Sequence, residues 1–518
     1  MAKFRLFHLA ILVGLLGVLV SLYRGSTKTQ HPPPVIGNNN TVLFAVNVEY
    51  GLSNVHLATI FSLLQNHPTI SIHVASFPKL APKLERVANY ARKNYPGMHV
   101  VRFHELPGPD LVTASNRTSI DLMQPPGISG MDALMKDLQR YIAPWTESDY
   151  LQIHDYSRDL IRDVDPAVIV LDGMLWPAVD AARGEKRLYA MLAPNNLADF
   201  FGMEQPWLAG LWKYPVLGSG YDFPVPWRDI PANIYQAARF AYNMFFSPKL
   251  AAKRKYLVEN GVKDPIDFLA PRQPYMGSFI LQETQGASLP VDYVPPNIVM
   301  AGPISISVAT AEELDPELTA WLSRAPTVLV NLGSILEYDE DRAAAMAGAL
   351  KIMLERTGVQ VLWKLLPPAD RVLVEDAWRP LVEEFIHSDR LRVTKWLSVE
   401  PLALLQTGYI VVSVHQGGAS CYHEAVLAGV PHIVLPAWAD LYNYASLAET
   451  TDIGVWGNRK AAPGISADEL GSAFLKMVDG GPASLSMREN AKRLGKSIVR
   501  PGRDIAADEV ARLAATGY

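Results

Sequence analysis

The chain has 518 residues, of which 49% are hydrophobic and 19% charged, a balance typical of globular proteins with room for more than one apolar core. A formal net charge of −5 excludes the basic profile typical of nucleic-acid-binding proteins. The single cysteine, Cys421, excludes an internal disulfide framework and a zinc site built from cysteines.

The segment from Leu6 to Tyr23 is apolar and carries no charge. At ~1.5 Å per residue, a helix of roughly 18 residues spans about 27 Å, close to the thickness of a bilayer core. Arg24 follows at once, without the small-x-small site at which a signal peptide is cleaved. We therefore predict an uncleaved membrane anchor over residues 1–25, with a cleaved signal as the alternative. A polar, proline-rich linker over 26–40 follows.

The flanks of this segment bear on its orientation. Basic residues lie on both sides of it, and together with the free amino terminus they lean towards a cytosolic N-terminus and a lumenal enzyme. The triplets that begin at Asn39 and Asn116 are N-glycosylation acceptor patterns and fit a lumenal location. The expectation is a single-pass protein of the endoplasmic reticulum or another endomembrane, glycosylated at both asparagines.

Short apolar, β-branched runs recur along the chain and predict buried strands. They lie at 41–48, 70–76, 167–172, 188–193, 298–301, 327–332, 359–365, 409–414 and 431–435. Helical patterns separate most of them, and this alternation predicts parallel, doubly wound α/β sheets. A proline-rich break over 291–303 predicts two domains, at 41–295 and 296–485, and a helical C-terminal segment follows over 486–518.

Aromatic residues are concentrated among prolines in the segment 195–250. One interpretation is a packed helical excursion with its aromatic side chains in a core. The other is an apolar acceptor pocket or a surface that touches the membrane, since aromatic-lined clefts suit apolar ligands.

A glycine pair follows the predicted strand that ends at Val414. Gly417 and Gly418 come next, and a helix is predicted to begin near Ala419. The unpaired N–H groups and the positive dipole end of such a helix suit a diphosphate, and glycine lets the backbone approach it closely.

The whole stretch VHQGGASCYHEAVLAGVPHIVLPAWADLYNYA, at 414–445, resembles the nucleotide-sugar signature of the UDP-dependent glycosyltransferases, of the UDP-glucuronosyl and UDP-glucosyl type, in their fungal members. VLVNLGS at 328–334, VLWKL at 361–365 and GVWGNRKAAP at 454–463 resemble further segments of the family in the same order. The resemblance is strong from about residue 302 to 512. It implies the GT-B architecture, with two Rossmann-like domains and a UDP-sugar bound by the C-terminal one.

The resemblance also assigns roles in donor binding. Glu424 would accept hydrogen bonds from the ribose hydroxyls, Asp440 would hold sugar hydroxyls, and Trp396 would lie against the uracil. The full set of donor-site candidates is Gly333, Ser334, Trp396, His415, Gln416, Gly417, Gly418, Ser420, Glu424 and Asp440. We expect no cofactor beyond the UDP-sugar substrate and no metal, because a helix terminus can offset the charge of the diphosphate.

Several positions depart from the family pattern. Gln416 stands where a histidine usually precedes the glycine step, and His415 lies one residue earlier. Leu441 replaces the usual glutamine after Asp440, and Glu400 lies near where a second glutamine is expected after Trp396. These departures leave the identity of the sugar open.

Inverting sugar transfer needs a base that takes the proton of the acceptor hydroxyl. In the family this is a histidine in the first strand–helix loop, held by an aspartate from a later strand. Asp172 matches the aspartate, but Leu52 stands at the usual position of the base. Tyr50 stands where fungal members carry histidine, and His56 lies one helical turn after Leu52. The base is therefore His56, Tyr50 or absent.

The expected function is transfer of a hexose from a UDP-sugar, with UDP-glucose as the expected donor, to a hydroxyl or carboxyl of a small apolar acceptor, with inversion. A secondary metabolite, a sterol or another lipid would fit. The alternative, motivated by Leu52, Gln416 and Leu441, is a catalytically impaired relic that serves as a binding or scaffold partner at the membrane. An unrelated hydrolase or epimerase of the same architecture is the third interpretation.

Overall fold

The computed structural model describes residues 32–94, 100–116, 123–268, 275–369 and 372–516. The predicted anchor over 1–25 lies outside the described residues, and so does the first part of the linker, 26–31. Within the part of the chain that is described, no helix combines the length and apolarity needed to span a bilayer. Asn39 and Asn116 are both exposed, and their glycosylation stays a prediction.

The N-terminal half forms a seven-stranded parallel sheet in the order β3-β2-β1-β4-β5-β6-β7. Its central strands are apolar and wholly buried because helices cover both faces. The strands are β1 (Asn38–Ala45), β2 (Ser71–Ser76), β3 (Arg102–Glu105), β4 (Pro166–Leu171), β5 (Tyr189–Ala193), β6 (Met276–Leu281) and β7 (Ile298–Met300).

The C-terminal half forms a six-stranded parallel sheet in the order β10-β9-β8-β11-β12-β13. Both sheets have the strand order of doubly wound Rossmann-like domains, in which ligands bind at the carboxyl ends of the central strands. The strands are β8 (Thr327–Asn331), β9 (Gln360–Lys364), β10 (Leu391–Thr394), β11 (Ile410–His415), β12 (His432–Val434) and β13 (Gly454–Trp456).

Helices connect the strands in both halves. Those before β8 are α1 (Tyr50–Asn66), α2 (Ala81–Asn94), α3 (Leu111–Asn116), α4 (Ile128–Ile142), α5 (Glu147–Val164), α6 (Trp176–Gly184), α7 (Leu197–Phe201), α8 (Ala209–Trp212), α9 (Ile230–Phe246), α10 (Pro248–Glu259), α11 (Ala311–Leu314) and α12 (Pro316–Leu322). Those after β8 are α13 (Glu340–Leu354), α14 (Arg379–His387), α15 (Pro401–Leu405), α16 (Ala419–Ala428), α17 (Leu441–Thr450), α18 (Ala467–Val478), α19 (Pro482–Ser497) and α20 (Gly502–Thr516).

The division between the sheets falls later than the predicted boundary at 295/296. β7 pairs with β6 in the first sheet, and the second sheet begins with β8. The apolar residues Ile304, Ile306 and Val308 also belong to the core of the first domain. The proline-rich break therefore contains the last strand of the first sheet, because Pro295 and Pro296 lie before β7 and Pro303 lies after it.

The last helix, α20, returns to the first domain. Ala506, Val510 and Leu513 are fully buried in the N-terminal core. Ser62 on α1 donates a hydrogen bond of 2.5 Å to Asp504 on α20. The C-terminal segment predicted over 486–518 thus ends as part of the domain that begins the chain.

This return of the chain predicts a stability effect at Leu513. Replacing it with alanine removes a fully buried side chain that lies against Gly277 of β6, so we expect the free energy of unfolding to fall by about 2–5 kcal/mol. Urea denaturation measures the change, and Leu485→Ala, at an exposed position of α19, is the matched control. Equal midpoints for the two variants would contradict the packing of α20.

Candidate active site

A sharp turn joins β11 to α16 at the carboxyl edge of the second sheet. Gly417 takes a φ of +96°, which favours glycine. A Cβ atom there would lie 2.7 Å from the backbone oxygen of Leu441, the first residue of α17. The sequence therefore needs glycine at this position, and the turn presents the first N–H groups of α16 at the sheet edge.

His415 lies behind this turn rather than beside the donor. It is 1% exposed, its Nδ1 accepts a hydrogen bond of 3.1 Å from the Gly417 N–H, and its Nε2 lies 2.9 Å from Nδ1 of His432. Burial lowers the pKa of His415 to about 3, so the ring is neutral. His415, predicted among the donor-site residues, instead points into the core, where its side chain holds the glycine turn.

Gln416 lies over the turn that follows β8. A Cβ on Gly333 would be 2.3 Å from Nε2 of Gln416, and Gly333 has a φ of +80°. The same amide nitrogen would be 2.8 Å from a Cβ on Gly418, and Ser334 is exposed next to Gly333. The structure thus brings together these four predicted donor-site residues.

Trp396 and Lys364 form a second part of the donor site. Trp396 is 55% exposed, and Nζ of Lys364 lies 3.6 Å from the centroid of its ring. The same Nζ donates a hydrogen bond of 2.9 Å to the Gly333 oxygen, and burial lowers the pKa of Lys364 to about 8. Lys364 was not among the residues predicted from the sequence, although its place at the carboxyl end of a predicted strand was a signal for it.

Glu424 lies on the inner face of α16, one turn into the helix, and is 1% exposed. Its Oε1 accepts a long hydrogen bond of 3.4 Å from Nδ2 of Asn54 on α1. Burial, helped by the charge of Glu400, raises the pKa of Glu424 to about 8. Ser420, also on α16, donates a hydrogen bond of 3.1 Å to the Gly51 oxygen, so α16 faces α1 directly across the cleft.

Asp440 precedes α17 and faces carboxylates of the first domain. Burial raises its pKa to about 7, with a further contribution from the charge of Asp199 on α7. Tyr444 donates a hydrogen bond of 3.1 Å to Oδ2 of Asp199, and Glu283 also has its pKa raised to about 7, mainly by burial. Asp199 and Glu283 belong to no motif and could not be predicted from the sequence. Leu441 is buried, so its side chain takes no part in the cleft.

Asp172 ends β4 and is bound to Asn47 instead of to a histidine. Its Oδ2 accepts hydrogen bonds from the backbone N–H and Nδ2 of Asn47, at 3.2 and 3.0 Å, and its Oδ1 accepts one of 2.9 Å from the Met174 N–H. Burial raises the pKa of Asp172. Its carboxylate therefore holds the loop after β1, and Asn47 is a partner that the sequence did not reveal.

The structure does not support either predicted base. His56 is 1% exposed, packs edge-on against Phe44 and has its pKa lowered to about 3 by burial. Burial and the nearby charge of Glu424 hold the pKa of Tyr50 well above its usual value. His56 is a core residue without access to the cleft, and Tyr50 keeps its proton at neutral pH. Both assignments are therefore corrected.

An apolar wall lies next to Asp440. Side chains of α4 and α9 pack together, and the cluster includes Ala439 of the second domain. The aromatic side chains of the segment 195–250 do not all follow one interpretation. Phe201 is buried, as expected for a packed core, whereas Trp207 and Trp227 are 89% and 84% exposed, as expected for a contact surface. The residues of the apolar wall are Met131, Leu134, Met135, Leu138, Ile142, Val216, Phe240, Met244 and Ala439.

Comparisons with known proteins agree with this geometry, although no protein-family model matches the chain. The glycosyltransferase sdnJ of Sordaria araneosa is 33% identical over 500 residues, which cover 91% of this chain and 97% of that protein. UDP-glycosyltransferase 84B1 of Arabidopsis thaliana is 28% identical over 191 residues, covering 35% of this chain and 39% of that protein. The structure of a UDP-glucosyltransferase from Polygonum tinctorium capable of glucosylating indoxyl matches with a TM-score of 0.60 and 17% identity, covering 94% of this chain and 100% of that one.

The fold and the site define an enzyme of the glycosyltransferase class, with two parallel-sheet α/β domains in the GT-B arrangement. The chain belongs to the family of UDP-dependent glycosyltransferases. The resemblance drawn from the signature at 414–445 is confirmed.

The glycine turn predicts a matched pair of variants. Gly417→Ala and Gly480→Ala both place alanine at a positive φ, but a Cβ at Gly480 meets nothing within 4 Å. We expect Gly480→Ala to cost about 1 kcal/mol of stability, as strained backbone does, with donor binding retained. Gly417→Ala must also displace α17, so it should cost more and weaken UDP binding at least tenfold, by roughly 1.4 kcal/mol. Thermal unfolding and calorimetric titration with UDP measure both effects, and equal losses would contradict the close approach.

Proposed function

We propose that the enzyme transfers a hexose from a UDP-sugar, with UDP-glucose as the expected donor, to a hydroxyl or carboxyl of a small apolar acceptor, with inversion. A secondary metabolite, a sterol or another lipid fits this description. The observation that carries the proposal is the placement of Trp396, Glu424 and Asp440 as a group at the carboxyl side of the second sheet. Lys364 joins Trp396 to the Gly333 turn, Glu424 lies on α16, and Asp440 directly precedes α17.

Each part of this grouping suits one part of a UDP-sugar. The exposed ring of Trp396 offers a surface on which uracil can stack, and Glu424 can accept hydrogen bonds from the ribose hydroxyls. The N-terminus of α16 favours the diphosphate, and Gly417 and Gly418 let it approach the backbone. Asp440 suits hexose hydroxyls, because carboxylates are strong hydrogen-bond acceptors.

The partly buried members of the apolar wall, which support an apolar acceptor, include Val216, Phe240, Met244 and Ala439. The apolar wall ends one residue before Asp440, so an acceptor packed against it would lie close to the sugar end of the donor. The Polygonum enzyme, whose fold is similar, is described as capable of glucosylating indoxyl, a small and largely apolar molecule. The comparisons give no support to the binding or scaffold alternative.

Attachment to an endomembrane through residues 6–23 remains part of the proposal. The exposed rings of Trp207 and Trp227 support it, because tryptophan favours the interface between membrane and water. Extraction of membranes with alkaline carbonate tests it: an anchored protein stays in the pellet, whereas release into the supernatant would contradict the anchor.

The direct test is UDP release by the full-length chain in detergent, with UDP-glucose and a panel of phenols, sterols, hydroxylated lipids and carboxylic acids. Acceptor-dependent release with a β-linked product would support inverting transfer from UDP-α-glucose. No release with any UDP-sugar across the panel would overturn the proposed reaction.

The burial of Glu424 predicts how donor affinity depends on pH. Because its pKa is about 8 without ligand, the carboxylate that ribose needs is mostly protonated at pH 6. Affinity for UDP-glucose should therefore rise with pH, by up to about tenfold per pH unit, and level off above pH 8. In Glu424→Gln we expect an affinity about 10–100-fold lower at pH 8 and little dependence on pH.

Calorimetric titration at several pH values measures these affinities. Glu489→Gln, at an exposed position of α19, is the matched control and should bind like the unaltered enzyme. Undiminished binding in Glu424→Gln would refute the ribose contact.

A further inference from the structure

We propose that Glu49 is the catalytic base, the group that takes the proton of the acceptor hydroxyl. The inference rests on the proposed transferase function and fills the role that the family gives to a histidine. Glu49 is the residue directly before α1, in the first strand–helix loop. In the sequence this carboxylate lies in NVEYG, three residues before Leu52, which stands at the usual position of the base.

The loop that carries Glu49 is held in place by Asp172. Two hydrogen bonds from Asn47 to Oδ2 of Asp172 fix the backbone two residues before Glu49. On the other side, the Glu49 oxygen accepts the N–H groups of Leu52 and Ser53, which begin α1. Asp172 is therefore a positioning residue for Glu49.

Among the described residues, one carboxylate oxygen of Glu49 has no hydrogen-bond partner. Oε1 accepts a hydrogen bond of 3.0 Å from the Val112 N–H, whereas Oε2 is shielded from solvent and has no hydrogen-bond partner among the described residues. A buried carboxylate oxygen without a donor is costly, and such an atom in a native structure calls for an explanation. A ligand hydroxyl that donates to Glu49 would remove this cost.

The donor site lies close to this carboxylate along the chain. The residue after Glu49 is Tyr50, and the nearby charge of Glu424 adds to the effect of burial in raising the pKa of Tyr50. The next residue, Gly51, accepts the hydrogen bond from Ser420 in the first turn of α16. Glu49 is thus two residues from a direct contact with the helix that would bind the diphosphate.

The charges around Glu49 set its proton affinity. Asp172 at the end of β4 and Asp110 before α3 oppose its ionisation, while Lys83 on α2 is the nearby cation. Burial is the main cause that raises the pKa of Glu49 to about 7, and the two carboxylates add to it. A base of this strength is about half ionised at neutral pH and strong enough to take a proton.

The neighbouring carboxylates are less suited to the role. Both oxygens of Asp172 already accept hydrogen bonds from Asn47 and Met174. Asp110 forms an ion pair of 2.6 Å with Lys79 and accepts the Thr113 N–H, and these contacts lower its pKa. Glu49 combines a raised pKa with an unused acceptor position.

The proposed step balances without a further reactant. The acceptor O–H bond breaks as its proton passes to Glu49, and the acceptor oxygen forms a bond to C1 of the donor sugar. The bond from C1 to the diphosphate oxygen breaks, and UDP leaves with the electron pair. Glu49 then releases the proton to solvent.

The test is Glu49→Gln in the full-length enzyme, with transfer by the unaltered enzyme measured first. For an unactivated alcohol, kcat/KM should fall by about 10²–10⁴-fold, the usual contribution of a positioned base. Affinity for UDP-glucose should stay within about twofold, because no donor contact is removed. The loss should shrink as the acceptor becomes more acidic, from alcohols to nitrophenols and carboxylic acids.

The pH profile separates a base from a structural role. With UDP-glucose saturating at every pH, so that titration of Glu424 does not limit the rate, kcat/KM for the acceptor should fall tenfold per unit below about pH 7 in the unaltered enzyme, because Glu49 must be ionised. This acid limb should vanish in Glu49→Gln. Asp110→Asn is the matched control: it removes a neighbouring like charge, so it should cost less than tenfold and move the limb to lower pH. Formate should partly restore transfer in Glu49→Ala.

Two results would overturn the assignment. One is transfer by Glu49→Gln at more than about a tenth of the normal rate, which is above the range for loss of a base. The other is an equal loss for alcohols and nitrophenols with the acid limb unchanged, as expected if Asp440 or Glu283 governs it. Failure of the unaltered enzyme to transfer from any UDP-sugar would instead reject the proposed function itself, and the assignment with it.

Discussion

The close approach of Gly417 to the start of α17 is the constraint on which the donor site depends. It leaves 2.7 Å between the position of a Cβ and the Leu441 oxygen, and the positive φ turns the chain from β11 into α16. His415 supports the turn from behind by accepting the Gly417 N–H. This contact fixes α16 and α17 relative to each other, and with them Glu424 on α16 and Asp440 directly before α17, both of which face the first domain.

One departure from the family pattern, Glu400, is explained by contacts between the domains. Glu400, near the place of an expected glutamine, accepts a hydrogen bond of 2.8 Å from Arg86 on α2 and one of 3.2 Å from the Val308 N–H. Asn54 on α1 reaches Glu424 on α16 in a similar way. Together with the return of α20 to the first core, these contacts hold the two domains in one arrangement around the cleft. Some of the polar side chains therefore form the interface between the domains.

Strands and site residues could be predicted where the signal lies in neighbouring residues of the sequence, and could not where it depends on distant segments. Buried central strands such as β4 and β8 appear as continuous apolar runs. β3 reads RFHE because it is a partly exposed edge strand, and β6 contains Gly277 and Ser278 because α20 packs there, so neither shows such a run. Most of the donor-site candidates lie within the one continuous signature at 414–445, which is why they could be predicted together. The direction of His415, the burial of His56 and the pairing of Asp172 with Asn47 depend on distant segments and were not predictable.

Compared with a histidine base, a carboxylate base changes the charges formed on proton transfer but has a similar pKa. A histidine that takes a proton next to an aspartate becomes a cation attracted to it, whereas Glu49 becomes neutral and loses its repulsion with Asp110 and Asp172. Both kinds of base have a pKa close to neutral pH, since the usual pKa of histidine is about 6.5 and that of Glu49 is about 7. Asp172, directly after β4, would thus have a function in a site that lacks the histidine of the family. It holds the loop after β1 and opposes ionisation of Glu49. On this argument, leucine at the usual position of the base is compatible with full catalysis.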